Sequence, residues 1–219
     1  MTQQHDNDII FWKDFAIIRI HDYFANSGDT QKKENMKNII HFLFEANILK
    51  SVQRTGFQFL GSGHESVADH SFMISIIAYV MSKLNPQVDP LKIITMALVH
   101  DLPEARMGEL NYVHRRYTTA HEDQALKDLT KKIPFGQEIV DLVDEFNDCQ
   151  TAEAKLAKDA DNLSLMLELK ALHDQGKRGP EKWLNAAKNR LITDTGKQLA
   201  ETIMTTEWDE WWFQALPQK

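Results

Sequence analysis

Two histidines and three acidic residues fall where a helical reading places them on faces meant for burial. After Asp69, the residues Met73, Ile76, Ile77, Val80 and Leu84 recur at helical spacing, and His70 precedes Met73 by one turn, so His70 is expected to point inward. In the following segment Ile93, Ala97 and His100 form one row and Ile94, Leu98 and Asp101 the row beside it, so both polar residues end an apolar face. Glu104 lies four residues beyond His100 and stays on that side if the helix survives Pro103. Asp161, in Lys158-Asp159-Ala160-Asp161-Asn162-Leu163, shares a helical stretch with Ala154, Ala157, Ala160 and Leu165, which are small or apolar.

A carboxylate is costly to bury unless it is paired or bound to a cation. A structural His–Asp hydrogen bond would account for one such pair, but a third inward acid favours a cation. Two imidazole nitrogens from His70 and His100 and two carboxylate oxygens from Asp101 and Asp161 suit one divalent transition metal, Mn, Fe, Co, Ni or Zn, better than Mg or Ca. With four protein ligands, positions stay open for water and a substrate oxygen. An ion so held polarises a phosphoryl oxygen and lowers the pKa of its water towards about 7, which makes hydrolysis the natural chemistry.

The rest of the chain limits what such a site could act on. A formal net charge of -7 over 219 residues argues against binding the backbone of duplex nucleic acid and leaves small anionic substrates open. Cys149 is the single cysteine, so neither an internal disulfide nor a thiolate cluster can form within one chain. No apolar run approaches the roughly 18 residues that span a bilayer, and the polar, acidic Met1 to Asp8 stretch does not read as a signal peptide. A cytoplasmic protein with no membrane partner is the expectation.

Glycine and proline are scarce, at 9 and 6 residues, and helical period dominates between them, so the expected class is all-α. Helices are expected over residues 11–24, 34–49, 66–84, 90–103, 120–132, 137–147, 152–174, 181–191 and 195–213. Met36, Ile39, Ile40, Leu43 and Phe44 form the apolar stripe of the second, and Asp89 with Pro90 opens the fourth. Irregular loops are expected around Gly56, Gly61 and Gly63 and over 111–118. Trp208, Trp211, Trp212 and Phe213 read as packing against the body, or as a dimer surface, in preference to a ligand box. Lys158, one turn before Asp161, reads as a phosphate contact or a surface ion pair, and Arg115 and Arg116 as a solvated pair.

The order His70, then His100-Asp101, then Asp161 resembles the H…HD…D signature of the HD-domain superfamily. Leu49-Lys50-Ser51-Val52-Gln53-Arg54-Thr55-Gly56, Glu65-Ser66-Val67-Ala68-Asp69-His70-Ser71 and Ala97-Leu98-Val99-His100-Asp101-Leu102-Pro103-Glu104 with Gly108-Glu109 are similar to the branch of YfbR-type 5′-deoxynucleotidases and HD domain-containing protein 2. The resemblance covers roughly residues 37–172. It implies a single-domain helical bundle with extra terminal helices: an extension over 1–34, the HD phosphohydrolase domain over 35–175, and C-terminal helices over 176–219 packing on it. It implies metal ligation by His70, His100, Asp101 and Asp161, general acid or base action by Glu104, and phosphate binding by Arg54. Glu109 stands where close relatives carry an aspartate associated with the sugar, and its extra methylene is expected to alter selectivity against a 2′-hydroxyl. The expected activity is a 5′-nucleotidase releasing phosphate from (deoxy)nucleoside 5′-monophosphates, in a homodimer. The competing readings are a nucleoside triphosphohydrolase, another small phosphate-ester hydrolase, or a non-catalytic metal-binding regulatory module.

Overall fold

The computed structural model describes residues 28–216, so the helix expected over 11–24 lies outside the described residues. Regular structure among them is helical: α1 Asp29–Asn47, α2 Gly56–Leu60, α3 Val67–Leu84, α4 Pro90–Val99, α5 Glu104–Met107, α6 Glu122–Thr130, α7 Gly136–Asp148, α8 Ala152–Asp174, α9 Pro180–Lys188, α10 Asp194–Thr205 and α11 Glu210–Gln214. Short 3-10 turns occupy Ile48–Lys50 and His114–Arg116, and a lone antiparallel bridge joins Gln53 to Ser66. The all-α expectation holds.

The centre is built from α3, α4 and α8, which pack on one another, with α7 against α4 and α8, and α9 and α10 laid along α8. Ile74, Ala78 and Met81 of α3 meet Ile93, Met96 and Ala97 of α4 and Ala157, Leu163 and Met166 of α8 in a continuous core. Each large apolar side chain among them contributes about 1.5–3 kcal/mol by its burial. Small residues let these helices approach closely: Ala154, Ala157 and Ala160 on α8, and Ser71, Ala78 and Ser82 on α3, are all buried. The buried serines satisfy their hydroxyls locally, Ser71 Oγ donating to Val67 O at 2.9 Å and Ser82 Oγ to Tyr79 O at 2.7 Å.

Several expectations are corrected. On α3 the buried face runs through Val67, His70, Ile74, Ile77 and Met81, whereas Ile76, Val80 and Leu84 are exposed. His70 does face inward, on a row adjacent to the expected one. On α1 the stripe is turned outward: Met36, Ile40, Leu43 and Phe44 are exposed while Asn35 is buried. Leu98, expected in a row with Asp101, is also exposed. The fourth helix stops at Val99, and turns over 100–103 separate it from α5. The glycine-rich loop contains α2, and the loop after Asn111 contains a 3-10 turn.

The last expected helix is broken. Thr206 is extended, with φ -99° and ψ 131°, so α10 ends and the short α11 starts in a new direction. The aromatic tail consequently does not pack into the body: Trp211 is 65% and Phe213 63% exposed. Val67–Leu84 is long and apolar enough by composition to cross a membrane, but its inner face, with His70, is the core of this bundle.

Candidate metal centre and substrate cleft

His70 enters the site one turn into α3, and its placement begins with that helix's cap. Ser66 Oγ accepts from Asp69 N at 3.1 Å while Asp69 Oδ2 accepts from Ser66 N at 3.0 Å, a reciprocal box that fixes the first turn. The Gln53–Ser66 bridge, with Arg54 N donating to Glu65 O at 2.9 Å and Val67 N to Val52 O at 2.9 Å, lays the Arg54 segment alongside the same turn. His100 caps α4, a helix opened by Asp89 and Pro90. Its Nδ1–H donates to Ala97 O at 2.8 Å, which leaves Nε2 as the free nitrogen.

On α8, Asp159 and Asp161 are about 200° apart round the helix and do different work. Asp159 is fully buried and accepts from Ile192 N and Thr193 N, each at 2.8 Å, and from Thr193 Oγ1 at 2.6 Å, anchoring the turn into α10. Any side chain at Gly196 would run into its carboxylate. Asp161 instead faces α3, its Oδ1 lying 3.0 Å from His70 Nε2.

The two histidines and two aspartates thereby converge. His100 Nε2 lies 3.2 Å and His70 Nε2 4.0 Å from Asp101 Oδ2, and donor atoms of His70, His100 and Asp161 all lie within 4.8 Å of one another. Ligands held about 2.1 Å from one ion stand roughly 3–4 Å apart, so this donor set fits a single divalent cation with small closure. Asp101 Oδ2 is buried without a hydrogen-bond partner, the kind of orphan acceptor that a cation would satisfy.

Glu104 arrives by a different route from the one expected. The turn after His100 and a fresh start at Pro103 carry it to the same cleft, where it is buried with Oε2 unpartnered. Gly108 then takes φ 71° and ψ 164°, a conformation essentially confined to glycine, and sends Glu109 back towards Arg54. Glu109 Oε1 pairs with Arg54 Nη1 at 2.8 Å, and its Oε2 accepts from both Thr55 N and Thr55 Oγ1. Arg54 Nη1 also faces Asp101 Oδ2 at 3.7 Å.

These groups line a cleft of about 360 Å³, whose walls also include Arg115, Phe146, Lys158 and Arg190. Lys158 Nζ sits 3.6 Å over the Phe146 ring. Arg115 is exposed, as expected, and stands at the rim of the cleft, pairing with Glu122 at 3.2 Å; Arg116 is exposed too. Arg190, from the turn between α9 and α10, carried no spacing signal in the sequence. Among the described residues, Lys158 and Arg190 have no carboxylate in ion-pair contact.

The HD domain family model matches residues 46–204, well over half of the chain. This chain belongs to the HD domain family. Among curated proteins, this HD domain is similar to the 5′-deoxynucleotidase HDDC2 of Dictyostelium discoideum, 34% identical over 61% of this chain and 76% of that one. The human protein of that name is 26% identical over 68% of this chain and 74% of its own. Among solved structures, a conserved hypothetical protein from Pyrococcus furiosus superposes with a TM-score of 0.66 at 26% identity, covering 76% of this chain and 99% of that one.

Electrostatics divide the acids of this HD domain into two kinds. Burial opposes ionisation of Asp101, yet His100, His70 and Arg54 outweigh it and hold the carboxyl at about 2. Burial likewise opposes Asp161, and the His70 hydrogen bond with the charges of His70, His100 and Arg54 holds it well below the ordinary range. Glu104 goes the other way: burial, then repulsion by Asp101 and Glu109, push it up to about 9. Burial also lowers Lys158 and His70.

Proposed function

We propose that this HD domain is a divalent-metal-dependent phosphohydrolase acting on nucleoside 5′-monophosphates, ribo or deoxyribo. The observation that carries the reading is the meeting of His100, Asp101 and Asp161, with His70 directly behind them, at one wall of a cleft that also holds Glu104 and unpaired cations. The similarity to proteins named 5′-deoxynucleotidases supports the substrate class. His70, His100, Asp101 and Asp161 would hold one transition-metal ion, which when bound supplies Lewis acidity to a phosphoryl oxygen and acidifies water.

The remaining steps belong to the chain itself. Arg54, Lys158 and Arg190 bind the phosphate oxygens, Arg54 with its guanidinium held in place by Glu109. Glu104, whose protonated form is favoured by burial and by the charges of Asp101 and Glu109, is placed to deliver a proton to the leaving 5′-oxygen. Glu109, spent on Arg54 and Thr55, acts on the sugar-reading side of the cleft through Arg54's position. The HD unit of 35–175 carries the chemistry, and the 176–219 helices add Arg190 to its wall. Arg190 gives a longer phosphate chain one more partner, so triphosphates belong in the test.

Phosphate release from ribo- and deoxyribonucleoside mono- and triphosphates, with and without chelator, tests the reading. Release from monophosphates that chelator abolishes is the expected result; a metal-loaded sample that releases phosphate from none of them overturns it. Lys158→Ala and Arg190→Ala should each raise KM about tenfold, since a charge-assisted hydrogen bond contributes about 1.5–3 kcal/mol.

We further propose a homodimer in the cytoplasm, where the lone Cys149 would stay reduced. Support for the dimer comes from the outward faces of α1 and α3, with Phe44 68% and Phe72 64% exposed, and from an apolar groove of about 600 Å³ lined by Phe42, Ala46, Ala68, Leu98, Phe135 and Leu142. Sedimentation should give twice the chain mass, and Phe44→Glu with Phe72→Glu should give the monomer. A monomeric wild type removes this part of the proposal.

A further inference from the structure

We propose that Glu65 is a positioning residue that couples the metal centre to the phosphate-binding Arg54, an assignment that rests on the metal-dependent reading above. Glu65 is 6% exposed, in the loop leading into α3. Its Oε2 atom is buried with no hydrogen-bond partner and lies 3.9 Å from His70 Nδ1 and 3.7 Å from Arg54 Nε. Those are the rear atoms of two side chains, Arg54, which lines the cleft, and His70, which lies just behind the cleft wall and turns Nε2 to Asp161. His70 Nε2 is 3.0 Å from Asp161 Oδ1, and Arg54 Nη1 is 2.8 Å from Glu109 Oε1. One carboxylate oxygen therefore stands behind both the metal-binding face of His70 and the phosphate-binding face of Arg54.

An unpartnered buried carboxylate oxygen is destabilising, so its presence here calls for a load that it meets during function. The chemistry of His70 supplies one. A neutral imidazole that gives its Nε2 lone pair to a cation carries its only N–H on Nδ1, and that donor needs an acceptor. Two oxygens are in reach, Ser164 Oγ at 3.4 Å and Glu65 Oε2 at 3.9 Å. The carboxylate is the stronger acceptor and raises the basicity of the ligating nitrogen more than a hydroxyl does. Arg54 supplies the second load, because a phosphate taken by the Nη atoms leaves Nε as the donor that orients the guanidinium plane. A movement of less than 1 Å brings both donors to Glu65.

The test compares Glu65→Gln and Ser164→Ala with wild type by chelator competition for metal, steady-state kinetics, and melting of metal-stripped samples as a check on folding. Glu65→Gln is expected to weaken metal binding about 10–100-fold and to raise KM several-fold, with Ser164→Ala near wild type in both. In an Arg54→Lys background the KM increment of Glu65→Gln should shrink while its metal loss remains, a split that a purely structural role would not produce. Should Glu65→Gln fold poorly, Glu65→Asp, which keeps the carboxylate, is expected to recover metal affinity over Glu65→Ala. Wild-type metal affinity in Glu65→Gln, or a metal loss carried by Ser164→Ala instead, overturns this assignment alone. A wild-type protein that takes up no metal overturns the metal-dependent reading itself and this assignment with it.

Discussion

Asp101→Ala is expected to strip the protein of its metal and to lower phosphate release by at least about 10³-fold, because Lewis-acid stabilisation is worth several kcal/mol and each 1.36 kcal/mol is tenfold in rate. The choice of residue follows from geometry. Asp101 Oδ2 is the atom that His100 Nε2, His70 Nε2 and Arg54 Nη1 all face, at 3.2, 4.0 and 3.7 Å, so its loss opens the centre of the donor set. The metal-stripped fold should survive. Asp101 repels Glu104 but is held ionised by His100, His70 and Arg54, so its loss should cost the metal-stripped protein some stability while the untouched α3–α4–α8 core keeps it folded. Elemental analysis, a phosphate assay and thermal melting of the metal-stripped variant check the three parts. Activity that persists in Asp101→Ala would place the reaction at another centre.

How much of this could be read from the residues alone differs from element to element. Existence of the helices was legible because glycine and proline are rare and capping signals are clear: Ser66, Asp89, Thr151 and Thr193 all accept backbone hydrogen bonds at helix starts. Which face is buried was not legible on α1 and α3, because both are apolar on more than one side and period alone cannot choose. The better signal on α3 was size: Ser71, Ala78 and Ser82 mark the side where helices come close, and Phe72, Ile76 and Tyr79 the side where nothing covers them among the described residues. His70 kept its inward direction because two adjacent rows of that helix share Ile77 and neighbour each other.

Site residues divide in the same way. His70, His100, Asp101 and Asp161 lie in or at the ends of regular helices, so spacing located them. Helical spacing puts Glu104 on the side of His100 only if the helix continues past Pro103, and it reaches the cleft instead through turns, the same outcome from a different cause. Glu65 and Arg190 escaped because loops have no period; the first is placed by the bridge at Gln53–Ser66 and the second by Asp159 gripping the Ile192–Thr193 turn next to it. In the sequence, Asp159 looks like a companion of Asp161. Their separation by two residues on a helix already implied opposite directions, and that was the available clue.

Glu104→Gln is the substitution in which activity and stability should part company. Turnover is expected to fall about 10²–10⁴-fold, the usual contribution of a general acid, while metal content stays at the wild-type level, unlike Asp101→Ala. Stability of the metal-stripped protein should move the other way. In the folded chain Glu104 keeps its proton up to about 9, against an ordinary glutamate value of about 4.3 in the unfolded chain. Between those values the unfolded chain has released the proton and the folded chain has kept it, so folding stability falls as pH rises through the window. Glutamine cannot ionise and removes that slope. Melting temperatures of metal-stripped wild type should therefore drop between pH 6 and pH 8.5 by more than those of Glu104→Gln, with the variant the more stable at the upper end by roughly 1–3 kcal/mol, the scale of one unsatisfied buried group. Parallel slopes would mean that Glu104 is ionised in the folded chain at neutral pH, and its part would then be that of a base taking a proton from water. Together the two measurements separate the rate loss from the protonation state of Glu104 in the metal-stripped fold, which the geometry of the cleft alone does not give.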